Sequence, residues 1–143
     1  VFPKISIDKS ISFINKAMCL TILCVSVMYV FLIFSSDWIV YYFLGSYDKI
    51  ASNVVNILGF SLVFLTFNMF FGGLRLIPFG YDKEYSFVMV ANGTIYMILM
   101  FFLWYFNFLS IYSISYVYVI VEIICSMFLF QKVKKLKLLF DNK

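Results

Sequence analysis

Glu122 is the side chain with the strongest claim to chemistry, because it stands alone in apolar text. No charged residue lies between Tyr85 and Val121, and the next charge after Glu122 is Lys132. An acid in the middle of a bilayer costs roughly 2.5–3.5 kcal/mol even on the lenient insertion scale, so it faces protein or water. At helical spacing Ser115, Tyr118 and Ser126 share its face. Two roles fit: a proton-linked or substrate-contacting carboxylate, or a protonated or hydrogen-bonded acid that fixes helix packing. No second intramembrane charge is present to pair with it, which favours packing.

Other polar residues lie in equally apolar surroundings. Ser52, Asn56, Gly59, Val63 and Thr66 recur at spacings of four and three, a small and polar stripe. Such stripes let helices approach and hydrogen-bond one another, or else line a hydrophilic cavity. Asn92, Gly93 and Thr94 invite the same two readings. Beyond these the inventory is bare. There is no histidine, the usual general base and commonest metal ligand. Cys19, Cys24 and Cys125 form no CxxC pair, and each reads as a small packing residue in an apolar run. No phosphate-binding, dinucleotide-binding, zinc-protease or nucleophile-elbow pattern occurs. No enzymatic activity, cofactor, metal or nucleic-acid partner is therefore expected.

The elements that must position these residues follow from composition. Of 143 residues, 64% are hydrophobic, 22% aromatic and 13% charged, with a mean hydropathy of +1.01. A soluble domain is about 45–50% apolar and about 25% charged, and one core of this size could not hide the excess. A spanning helix needs about 20 apolar residues, and the charges cut the chain accordingly. Lys16 and Asp37 bound a first span at 17–36, and Lys49 and Arg75 a second at 50–74. The third window, Tyr85 to Val121, would be roughly 55 Å long as one helix at about 1.5 Å per residue. It must turn, and Asn107-Phe108-Leu109-Ser110 carries the turn-forming residues. Spans at 86–106 and 111–130 result, followed by a basic tail at 131–143. Barrel strands are about 10 residues of alternating polarity, so helices are preferred. The expected fold is an all-α membrane protein, about four transmembrane helices in an antiparallel bundle. Residues 1–16 precede it. Ile7, Ile11 and Ile14 at i, i+4 and i+7 fit a short amphipathic interfacial segment, and equally a plain extension of the first span.

Charge sets the orientation. Lys4, Lys9, Lys16, Arg75, Lys83, Lys132, Lys134, Lys135, Lys137 and Lys143 fall on one side, and Lys49 alone on the other. The basic side is cytoplasmic by the positive-inside rule, so both ends face the cytoplasm. Trp38, Tyr41, Tyr42, Tyr47, Trp104 and Tyr105 gather at the opposite interface as an aromatic belt. If the last two spans form a hairpin, Glu122 lies level with about Ile95, roughly 20 Å from the external end at ~1.5 Å per residue. Asn92 and Tyr96 bracket that level and are its expected hydrogen-bond partners.

Several segments in order resemble a known family. Phe2-Pro3-Lys4-Ile5-Ser6 resembles a stretch found late in bacterial polysaccharide-biosynthesis flippases of the multidrug/oligosaccharidyl-lipid/polysaccharide exporter superfamily. Ser36-Asp37-Trp38-Ile39 through Leu44-Gly45-Ser46-Tyr47, with Ala51, is similar to an external loop between two late helices of that family. Asn68-Met69-Phe70-Phe71-Gly72 and Pro78-Phe79-Gly80-Tyr81-Asp82-Lys83 resemble the cytoplasmic turn that follows, and Glu122 falls where the family often has an acid. Ser113-Ile114-Ser115 departs from the family's glycine/alanine cluster. The resemblance implies a multi-pass protein of the bacterial inner membrane, moving undecaprenyl-diphosphate-linked O-antigen oligosaccharide across it. It further implies about twelve helices in two lobes. This chain, which begins with Val1 and lacks a signal peptide's pattern, would then be the C-terminal part, with the rest of the flippase and membrane lipids as partners. The rival readings are a complete small four-helix protein of the GtrA-like kind and a non-transporting scaffold subunit of a polysaccharide assembly complex.

Overall fold

The computed structural model describes the backbone of residues 4–136 and side chains from Ser12 onward. Four long helices account for nearly all of it: α1 (Lys4–Leu44), α2 (Lys49–Asn68), α3 (Asp82–Tyr105) and α4 (Ile111–Lys135). Between α2 and α3 runs a π-helical segment, Met69–Leu76. All four helices are long and apolar enough to cross a bilayer. Helix suits this text because each backbone N–H and C=O is then satisfied within its own segment, where lipid offers no partner. Pro78 falls in the turn outside the helices.

The turns are set by specific residues. Gly45, with φ +70°, stops α1 and donates from its N–H to Tyr41 O at 2.9 Å. Asp48 then caps α2, its carboxylate accepting from Ile50 N at 2.8 Å and Ala51 N at 3.4 Å. At the far end of the π segment Gly80 (φ +82°) closes a paired cap, Gly80 N to Ile77 O and Tyr81 N to Leu76 O. Asn107 plays the same part between α3 and α4 at φ 56°, a left-handed conformation that asparagine tolerates better than most residues. Ser110 caps α4 through Ser113 N at 3.1 Å. The expected turn at 107–110 and the observed one coincide.

Two elements are longer than the charge windows indicate. α1 continues past Asp37 to Leu44 and extends back unbroken to Lys4, so the backbone before the first span is an extension of it. At about 1.5 Å per residue its 41 residues reach roughly 60 Å, twice the hydrocarbon thickness. Ile7 and Ile11, and the tail beyond Leu136, lie outside the described side chains. α4 likewise runs past Phe130 to Lys135.

The helices stand side by side in the order α1–α2–α4–α3, with α2 and α4 central and the π segment touching all four. Gly59 lets α1 and α2 approach, since a Cβ there would lie 3.1 Å from Leu32 and 3.3 Å from Tyr29. Ser52 adds a polar contact across the same seam, with Ser36 Oγ at 3.0 Å and Asp37 Oδ1 at 2.5 Å. Toward the basic end Phe71, Leu76, Val88, Cys125, Leu129 and Val133 form the buried apolar core. Gly72 leaves room there for the Tyr85 ring of α3, which a Cβ at this position would overlap. Elsewhere large apolar side chains point outward, as lipid-facing residues do, among them Phe31, Phe34, Tyr42 and Phe87.

Two sequence expectations need correcting, and Arg75 has a setting that its charge alone does not give. Asn68 to Gly72 belongs to the helix and the π segment, and the turn comprises only Ile77–Tyr81. Arg75, counted among the flanking cations, is 1% exposed; its Nη2 donates to Asn15 Oδ1 and its guanidinium lies 5.3 Å from the Phe71 ring centroid. The π turn carries it inward beneath α1. Of the cysteines only Cys125 is a packing residue, since Cys19 and Cys24 lie exposed on α1.

Candidate functional site

Glu122 occupies the middle of α4, one residue before the midpoint of Ile111–Lys135. Its side chain is buried against α2. Asn68, the last residue of α2, donates from Nδ2 to Glu122 Oε2 at 2.6 Å. Ser126, one turn further along α4, places Oγ 2.7 Å from Asn68 Oδ1, with Glu122 O at 2.9 Å and Phe64 O at 3.3 Å as further acceptors. A serine hydroxyl has one proton, so these acceptors compete for it. The connection through Asn68 gives a chain: Ser126 donates to the amide oxygen, and the amide nitrogen donates to the carboxyl. Tyr118, one turn before Glu122, approaches the same carboxyl. The face read from the sequence therefore assembles, with Asn68 supplying the link to α2.

The expected partners do not fill that role. Asn92 lines a cavity of about 290 Å³ together with Asn68, Tyr85, Met89, Glu122 and Cys125, yet its buried Oδ1 has no hydrogen-bond partner. Tyr96 stands further along α3, its ring edge-on to Tyr118 at 6.5 Å between centroids. Equal distance from a hairpin turn fixes depth but not azimuth. α4 presents Glu122 to α2, while α3 packs on another side of α4, so depth alone chose the wrong helix. The signal for Asn68 was an amide late in span two, off the Ser52–Thr66 stripe.

That stripe divides by what its residues touch. Ser52 and Gly59 serve close approach to α1, as above. Asn56 instead borders a polar recess at the α1–α2 hairpin, where its buried Oδ1 has no partner. Thr66 turns its hydroxyl back to Leu62 O at 2.8 Å and edges an apolar groove with Met28 and Phe31. Thr94 likewise bonds its own helix, to Val90 O at 2.9 Å, and a Cβ on Gly93 would meet nothing within 4 Å. Neither serves a helix contact.

The Glu122 site joins three features: a buried carboxyl, a hydrogen-bonded chain crossing two helices, and a cavity bounded by α2, the π segment, α3 and α4. Its position directly before the π segment is notable because π turns inside α-helices concentrate at functional sites. Such a carboxyl can hold or pass a proton or contact a polar ligand, and it also fastens α2 to α4. Among the described residues no group of three or more histidine, cysteine, aspartate or glutamate side chains could hold a metal ion. No protein-family model, curated protein or solved structure matches the chain.

Proposed function

We propose that this chain is a membrane-transport element, the later helices of a flippase that carries undecaprenyl-diphosphate-linked oligosaccharide from the cytoplasmic to the external leaflet of the bacterial inner membrane. The order of the resembling segments supplies the substrate class. The observation that carries the reading is the Glu122–Asn68–Ser126 chain beside a cavity at the centre of the helix row. Intramembrane acids that face a cavity mark transport pathways by default, and irregular helices at such points line them. In this reading both ends face the cytoplasm and the aromatic hairpin end faces outward. Alternating access proceeds by rocking this helix row against a second lobe, with the α2–α4 connection as a rigid unit.

The test is complementation. In the full-length protein, Glu122→Gln keeps the shape of the side chain and can still accept from Asn68, so abundance should stay normal. Lost O-antigen export at normal abundance supports the transport role for the carboxyl. Normal export would assign Glu122 to packing alone and remove the support this site gives. Expressed by itself, the chain should insert without restoring export to a flippase-deficient cell; full restoration would favour the small four-helix alternative.

A further inference from the structure

α1 is seated unevenly along its length. From Ser12 to Ser35 none of its residues is buried, whereas Ser36 and Val40, toward the hairpin, are. Its close approach to α2 lies at Tyr29 and Leu32, the side chains nearest Gly59, and the contacts of Ser52 with Ser36 and Asp37 follow beyond it. Beside that seam runs an apolar groove of about 540 Å³, from Ile39 down to Val25 on α1. Ser35 and Thr66 on its wall turn their hydroxyls back to their own helices, so neither fastens α1 to α2. Leu20, Leu23 and Cys24 are exposed.

Toward its basic end α1 meets the rest of the fold through Met18, which packs against the buried core, and Asn15, which accepts from Arg75 Nη2. The Arg75 guanidinium is 1% exposed, yet its Nε and Nη1 have no hydrogen-bond partner. A guanidinium carries five N–H donors and keeps its charge. The one ion pair among the described residues joins Lys132 to Glu84, so no described carboxylate balances Arg75. A buried cation with idle donors forfeits hydration, and the Phe71 ring beside it accepts no proton in return for the lost water. Water or headgroup oxygens would reach those donors once the seat opened.

Between Lys4 and Leu44 α1 contains neither glycine nor proline, so it moves as a rod. Asn15 lies fourteen residues from Tyr29, roughly 21 Å at about 1.5 Å per residue. A change in tilt of about 15°, inside the range that transmembrane helices adopt, displaces it by roughly 5 Å, enough to admit water. We infer that α1 is a lever arm that pivots where it crosses Gly59. Its hairpin end stays fixed while its basic end opens and closes over Arg75. Two opposed effects set the balance. The idle donors of Arg75 favour opening, and its bond to Asn15 with the Met18 contact favours closure. Opening parts α1 from the π segment and widens the groove toward the basic side. The lever needs no lipid-linked substrate, so it stands whether or not the chain exports one.

The test is pulsed electron–electron resonance on the full chain in nanodiscs. The exposed Cys19 and Cys24 become Ala, while buried Cys125 stays in place, out of reach of the label. One pair of spin labels replaces Lys16 and Lys134 at the basic end, and a second replaces Tyr42 and Phe108 at the hairpin end, all four positions being exposed. The first pair should show two distances and the second pair one. Arg75→Met fills the seat without idle donors and should cut the open population about tenfold or more. Asn15→Ala removes the acceptor and should raise it about tenfold, the worth of one good hydrogen bond. Helical circular dichroism controls for folding, and should Arg75→Met lose its helical signal, Asn15→Ala alone decides. A single distance for the first pair, an open fraction that neither variant moves, or an equal spread at the hairpin pair would overturn the lever.

Discussion

The connection between Asn68 and Glu122 makes a prediction that separates a stabilising pair from two independent side chains. Replace Glu122 by Leu, and the Asn68 amide nitrogen loses the acceptor it now holds at 2.6 Å. A buried donor left without a partner costs about 1–3 kcal/mol. Replace Asn68 by Leu instead, and the carboxyl loses its α2 donor, a cost in the same range of about 1–3 kcal/mol. Ser126 is spared in that variant, because Glu122 O at 2.9 Å and Phe64 O at 3.3 Å remain as acceptors. With both residues as Leu, no buried polar group of the pair is left, so the double variant should fall well short of the sum. Interhelical hydrogen bonds in membranes average about 0.6 kcal/mol and reach about 1.7 in double-mutant cycles. This one is short and buried, so a coupling of about 1–1.5 kcal/mol is expected. Equilibrium unfolding in bicelles, read by helical signal or steric trapping, measures all four corners. Additivity within ~0.4 kcal/mol would refute the argument, because contacting residues should not behave as distant ones. Glu122→Gln should lie near the wild type, since Asn68 can still donate to the amide oxygen.

Gly72→Ala should be among the most damaging small substitutions, since its Cβ would lie 2.2 Å from Tyr85 Cε2 and 2.5 Å from Cδ2. Overpacking of this kind costs about 1–3 kcal/mol, and Tyr85→Ala in the same chain should recover most of it; a Gly72→Ala protein with unchanged thermal stability would show that the ring moves aside freely. Reporter fusions at Tyr81–Glu84 should read cytoplasm and fusions near Ser46 and Phe108 should read the external side, and a fusion after Lys137 reporting the external side would invert or break the four-span topology.

The architecture was legible because lipid leaves so little choice. Charges at Lys16, Asp37, Lys49 and Arg75 bound the apolar text, and a window too long for one span had to turn at its polar residues. Asn107 and Ser110 then do as a left-handed cap and an N-cap what their side chains suit them to do. What charge could not locate was where helix persists into water. Nothing between Asp37 and Leu44 breaks a helix, so α1 continues until Gly45 permits a left-handed turn. Charge also says nothing of burial: the Arg75 guanidinium is enclosed, with Asn15 of α1 and the Phe71 ring as neighbours. The only local signal for the π segment was the Gly72-Gly73 pair.

At the candidate site, the sequence named the acid but not its partner, and the reason is geometric. Periodicity along α4 fixes which residues share a face, so spacing alone groups Ser115, Tyr118 and Ser126 with Glu122. Which helix that face meets depends on the lateral order α1–α2–α4–α3, and no pattern within one helix encodes it. Chain order made α3 the natural neighbour, with Asn92 and Tyr96 at the right depth. Yet α4 lies between α3 and α2, and a helix flanked on two sides must divide its residues between them. Its small and polar residues Ser115, Glu122 and Ser126 are all buried, and the last two bond α2. The apolar Val133 and Leu129 pack with Val88 of α3. That division has a physical basis. A polar seam between α2 and α4 is stabilised only when both helices bring partners, whereas the buried α3 contact is apolar and its one ion pair, Lys132 with Glu84, lies at the half-exposed basic end. Asn68, together with Tyr118 of α4 itself, thus makes Glu122 tolerable in the bilayer, and the hydrogen-bonded group rather than the acid alone is the unit on which any transport role for this site must act.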